Sequence, residues 1–146
     1  MDIKRIVQFG ALIAISSATI ILALGAVFAG TIREHLVFAP RERGAESAIQ
    51  QVAERERAIL KSTGGFTAFA DKDIKGNPSL LGIFWDRLPV EDFAFDATKL
   101  DSGNVQLRAL PRPEKVEALS IRARLYVVEL KPDGAVVRDG WFPSSD

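Results

Sequence analysis

Ile6-Val-Gln-Phe-Gly-Ala-Leu-Ile-Ala-Ile-Ser-Ser-Ala-Thr-Ile-Ile-Leu-Ala-Leu-Gly-Ala-Val-Phe-Ala-Gly30 contains no Asp, Glu, Lys or Arg. As a helix rising about 1.5 Å per residue it measures roughly 37 Å, enough to cross a ~30 Å hydrocarbon layer with some tilt. Lipid offers no partners to open backbone groups, so the segment is expected to be helical. The chain therefore divides into a tail over 1–5, a membrane helix over 6–30, a charged junction over 31–44 and a domain over 45–146.

Lys4 and Arg5 precede the run, while Arg33, Arg41 and Arg43 follow it, so flanking charge alone does not orient it. The short tail is most simply left in the cytoplasm. The expectation is a bacterial-type inner-membrane protein, single-pass, N-terminus in, with a periplasmic or extracellular C-terminal domain. Val27-Phe-Ala29 would suit a signal peptidase, but the run is longer than the ~7–15 apolar residues of a cleaved signal. Within the helix, Gly10, Ala14, Ser17, Ala18, Gly25 and Ala29 form a stripe of small residues. Such stripes let a second membrane helix approach closely.

Beyond the run, Ala45, Ala48, Ile49, Val52, Ile59 and Leu60 recur at helical spacing between charged residues, and Gly64-Gly65 supplies a stop. Pro40 either kinks this helix or separates it from the first. Past the glycines the pattern becomes β-like. Phe66–Phe69 is a short extended candidate, Asp71–Pro78 a polar loop, and Leu80–Trp85 an apolar run of undecided type. Phe93, Phe95 and Thr98 alternate with polar or small neighbours, as do Val105, Leu107 and Ala109, with Asp101-Ser-Gly-Asn104 as the hairpin between them. Glu114–Leu119 reads as a helical turn. Ile121–Leu130, the turn Lys131-Pro-Asp-Gly134 and Ala135–Trp141 complete the pattern. The predicted class is α+β, with an N-terminal transmembrane helix, an amphipathic helix, then an antiparallel sheet of about four strands.

Nineteen basic and nineteen acidic side chains leave no net charge, which argues against nucleic acid as a partner. Without cysteine there is no thiolate nucleophile, thiolate metal site or disulfide. The lone histidine, His35, reads as a solvated junction residue. Asp71-Lys-Asp-Ile-Lys-Gly76 resembles a calcium loop only until Lys75 and Gly82, which stand where oxygen ligands belong. Glu91, Asp92 and Asp96 read as the solvated side of a strand. No nucleophile elbow, zinc motif or phosphate loop is present. The expectation is a non-enzyme without cofactor or metal. Phe84, Trp85, Trp141 and Phe142 are expected mostly in the core, with Trp141 and Phe142 the candidates for docking.

The stretch Ala45-Glu-Ser-Ala-Ile-Gln-Gln-Val-Ala-Glu-Arg-Glu-Arg-Ala-Ile-Leu-Lys-Ser-Thr-Gly-Gly-Phe66, placed after an apolar helix and before a small sheet, resembles the layout of type IV pilins and pseudopilins. The resemblance implies a filament or secretion-apparatus subunit with a processed N-terminus. The prepilin cleavage motif and the stem glutamate are absent: Gly10 is followed by Ala-Leu-Ile-Ala-Ile15, and the run holds no acid. The preferred expectation is an accessory or structural subunit that packs its helix and outer domain into a larger membrane complex, of respiratory or photosynthetic type among others. Its partners would be other membrane proteins and the bilayer. An anchored ligand-binding domain is a further alternative.

Overall fold

The computed structural model describes residues 19–144. They form an α+β protein, a long N-terminal helix followed by a four-stranded antiparallel sheet. Helical structure runs through Thr19–Thr63: α1 over 19–33, one π turn at Glu34–Phe38, and α2 at Ala39–Thr63. Pro40 lies just after the π turn and has no N–H to give to the helical ladder there, yet the junction residues are helical on both sides of it. Among the described residues, 19–37 and 38–144 belong to two separate units.

In the second unit α2 lies on the sheet through Ala45, Ala48, Ile49, Val52 and Ala53, all buried. Three alanines on that face bring the helix backbone close to the strands. Gly64 closes α2 in a left-handed conformation (φ 77°), and its N–H donates to Leu60 O at 2.9 Å.

The strands β1 (Phe93–Lys99), β2 (Val105–Pro111), β3 (Arg124–Leu130) and β4 (Val136–Pro143) pair in sequence order, each antiparallel to the next. Alternation sends Phe93, Phe95, Ala97, Val105, Leu107, Ala109, Tyr126, Val128 and Leu130 toward α2. Trp85 sits among them, edge-on to Phe69 at 5.8 Å and tilted against Phe95 at 5.5 Å. Phe69 bridges to Ala97 and so covers part of the β1 edge.

Two expectations are corrected. Asp71–Gly76 is a short helix, α3, rather than a loop. Its polar surface hides the periodicity, because only Ile74 turns into the core. Its start is fixed instead by Asp73, whose carboxylate accepts the Ala70 N–H at 2.8 Å. Phe84 is not a core residue: it is 65% exposed while its neighbour Trp85 is buried. A further one-turn helix, α4 (Pro113–Glu117), lies where the sequence predicts it.

Candidate interaction surfaces

The apolar helix offers the first surface. Ile20, Ile21, Leu22, Leu24, Val27, Phe28, Ile32 and Leu36 are all more than half exposed. The helix is long and apolar enough to cross a bilayer. Of the small-residue stripe, Gly25 and Ala29 lie in this exposed stretch, and a Cβ added at Gly25 would meet nothing within 4 Å. Gly10, Ala14, Ser17 and Ala18 fall outside the described residues. His35 is exposed in the π turn.

At the first turn of α2, acids and bases from distant segments converge. Glu42 is buried and takes a two-pronged bond from Arg124: Nε to Oε1 at 2.8 Å, and Nη2 to Oε2. Arg122 adds a second cation at 3.5 Å and lies over the Phe38 ring at 5.3 Å. Asp92 is shared by Arg41 at 3.4 Å and Lys115 at 3.8 Å. Arg41 also donates to the carbonyl of Ser120 at 3.3 Å. Arg41, Lys115, Arg122 and Arg124 thus meet Glu42 and Asp92 at this end of the domain.

This arrangement disperses the three carboxylates grouped near β1 in the sequence. Asp92 belongs to the cluster just described. Asp96 faces the other side of the sheet in a two-pronged pair with Arg108 at 2.8 and 2.7 Å, which raises the guanidinium pKa. Glu91 is exposed. Among the described residues, no three His, Cys, Asp or Glu side chains gather as a metal site would require.

Strand alternation separates the two aromatics suspected of docking. Trp141 faces α2, tilted against Tyr126 at 5.2 Å and Phe93 at 6.1 Å, with the Arg124 guanidinium over its ring at 4.8 Å. Phe142 lies on the opposite face beneath Arg138 at 4.9 Å. Both are half-buried. Beside Trp141, Gln50 of α2 donates to the Tyr126 hydroxyl at 3.0 Å, and that hydroxyl donates to Asp139. Burial, then the Asp139 hydrogen bond, push the Tyr126 pKa upward, so the phenol keeps its proton.

The surface that sequence reasoning missed centres on Phe84. Leu81 and Gly82 both take left-handed conformations (φ 59° and 68°), which reverses the chain and sends Phe84 outward while Ile83 and Trp85 go in. Phe84, Ile83 and Gly82 wall an open cleft of about 470 Å³ against Gln51, Glu54, Arg55 and Ala58 of α2. Arg87 stacks on Phe84 at 5.0 Å. The signal available was Gly82 inside an apolar run, where glycine marks a backbone that departs from the strand pattern.

Glu56 is fully buried on the core face of α2. Its Oε2 accepts the Thr67 N–H at 2.8 Å, and its Oε1 has no hydrogen-bond partner among the described residues. Burial raises its pKa against the opposing effects of Thr67 and Lys99.

Compared with protein-family models, curated proteins and solved structures, the chain matches none.

Proposed function

We propose that the chain is a non-catalytic, single-pass membrane-anchored subunit whose helix and outer α+β domain pack into a larger assembly of membrane proteins. The observation that carries this reading is the exposed apolar face of α1, whose large side chains are left without cover. In water such a surface would be costly, at roughly 25 cal/mol per Å² of apolar area; in lipid or against a partner helix it is the favourable state. On this reading the mechanism is positional. The helix fixes the protein in the bilayer, and the domain presents its surfaces to a neighbour on one side. The test is to purify the native protein in mild detergent and identify what accompanies it. A stoichiometric set of membrane proteins is the expected result; recovery of this chain alone would sink the reading.

A pilin-like filament subunit is the second reading, supported by the way α2 lies across a four-stranded meander. Intact-mass measurement of the native protein separates the two. A filament subunit would begin downstream of Met1 and recover as self-polymers.

A further inference from the structure

Among the described residues of the domain, Phe84 is the large apolar side chain most open to solvent, at 65%. The consecutive left-handed residues Leu81 and Gly82 send it outward, and a leucine takes that conformation only against steric resistance. The core gains Ile83, Trp85 and part of Leu81 from the reversal, and the surface is left with an aromatic ring. Aromatics and arginines are the side chains that anchor protein interfaces.

Two arginines stand beside that ring. Arg87 stacks on it at 5.0 Å. On the α2 side of the cleft the Arg55 guanidinium lies over Gly82, where an added Cβ would lie 3.9 Å from its Cζ. Elsewhere in the domain Arg41, Arg108, Arg112 and Arg124 each reach a carboxylate. Arg55 and Arg87 reach none among the described residues. Glu54, the acid that lines the cleft, is engaged by Arg57 at 3.2 Å, and Asp86 lines a separate hollow with Ile74 and Trp85. The cleft thus has an apolar wall, a cationic lip and no acid of its own left to neutralise it.

We infer that this cleft docks an acidic peptide segment of a neighbouring protein, a step that rests on the subunit reading for the existence of that neighbour. The segment's carboxylate pairs with Arg55, and an apolar side chain next to that acid packs on Phe84 and Ala58. Shape favours a peptide over a small molecule. Small-molecule sites bury about 70–90% of their ligand, whereas one wall of this cleft is itself mostly in water. A segment laid along α2 covers Phe84 as it binds, excludes water from the ion pair and so strengthens it.

The test uses the full chain in its native membrane, with the photoreactive residue benzoylphenylalanine in place of Phe84. After illumination the protein is purified in mild detergent, and the cross-linked residue is located by mass spectrometry. The expected product joins position 84 to a segment of a different protein with an acidic residue close to the link. Arg55→Glu should reduce that product about ten-fold or more, because like charges then meet in the cleft. Lys131→Glu, the same charge change on an exposed turn, should leave it intact. Both residues are exposed, so both variants should melt with the parent. If Arg55→Glu melts lower, Arg55→Gln is read in its place, with a smaller reduction expected. Reversing the partner's acid to lysine should restore the link in Arg55→Glu. A link to a second copy of this chain, to lipid, or to a segment without an acid overturns the inference, as does a yield indifferent to Arg55→Glu. Absence of any link while other membrane proteins still co-purify also overturns it and leaves the subunit reading standing. Recovery of this chain alone removes both.

Discussion

Two glutamates lie buried on the same face of α2, about four helical turns apart, and the fold treats them in opposite ways. Glu42 is gripped by Arg124 and approached by Arg122. Glu56 has a single backbone N–H, and its second oxygen is unpartnered among the described residues. Glu42 thus has cations for partners, whereas Glu56 lies among apolar neighbours, where desolvation raises its pKa. The entry end is therefore held by charge, while the far end is held by apolar packing at the expense of one carboxyl.

The sharpest way to break this contrast is Glu42→Gln. The substitution leaves the Arg124 guanidinium beside a neutral amide, and removing one partner of a buried pair costs about 3–5 kcal/mol. Arg122 and Arg124 keep 30% and 32% of their side-chain surface in water, so the expected loss is lower, about 2 kcal/mol. Urea unfolding in mild detergent, followed by tryptophan fluorescence, reads it. A loss under ~0.5 kcal/mol would mean that the clamp is only a surface pair.

Glu56→Gln should act in the other direction, and only at higher pH. The folded pKa of Glu56 is raised by burial, so its favourable contribution is complete below the unfolded value near 4.5. That contribution is lost as pH rises through the elevated folded value. Glutamine keeps the acceptor for Thr67 and cannot ionise. The variant should be more stable than the parent by about 1 kcal/mol at about pH 8, the scale of an unsatisfied buried group, with the gain shrinking toward about pH 4. Melting temperatures measured across that range would show the trend. A gain that is constant with pH would show that the Glu56 carboxyl is not the titrating group.

How far this contrast could be read in the sequence depends on the kind of interaction. The helical spacing of Ala45, Ala48, Ile49 and Val52, the alternation of Phe93 and Phe95, and the Pro132-Asp133-Gly134 turn are local signals, and each marks its element. Glu42 and Glu56 look like ordinary solvated charges, because their partners arrive from Arg124 and Thr67, which the helical pattern does not indicate. Phe84 and Trp85 are adjacent and equally apolar. Only the left-handed pair Leu81-Gly82 decides which points inward, and glycine alone hints at that. Trp141 and Phe142 follow the period of two and part to opposite faces, so a docking role for the pair as a unit would need both faces of β4.

Midway along α2, Gln50, Tyr126 and Asp139 form a third arrangement in which neutral donors hold one charge. Tyr126→Phe removes the central hydroxyl, but Asp139 is exposed and regains water. The expected loss is about 1 kcal/mol, smaller than at Glu42 because no buried charge is stranded. Burial and Asp139 both keep the phenol protonated past its ordinary range, so the loss should be flat from about pH 6 to about pH 9. A loss that varies over that interval would indicate that the tyrosine titrates there.

The smallest effect extends the comparison from charge to backbone. Each end of α2 has one left-handed leucine nearby: Leu119 beside Ser120 and Arg41, and Leu81 beside Gly82, whose added Cβ would meet Arg55. Leu81 packs against the core, whereas Leu119 is largely exposed. Leu119→Gly relieves strain of about 1–2 kcal/mol and loses roughly 0.5–1 kcal/mol to the freer unfolded chain, for a net gain of a few tenths. Leu81→Gly makes the same exchange but also surrenders part of a leucine's burial, about 1 kcal/mol for a half-buried side chain. In detergent, Leu81→Gly should therefore melt below Leu119→Gly. Equal melting would mean that Leu81 adds nothing to the core. Were Leu119→Gly the less stable of the two, the Leu119 side chain would be holding a contact within the domain that outweighs its backbone strain.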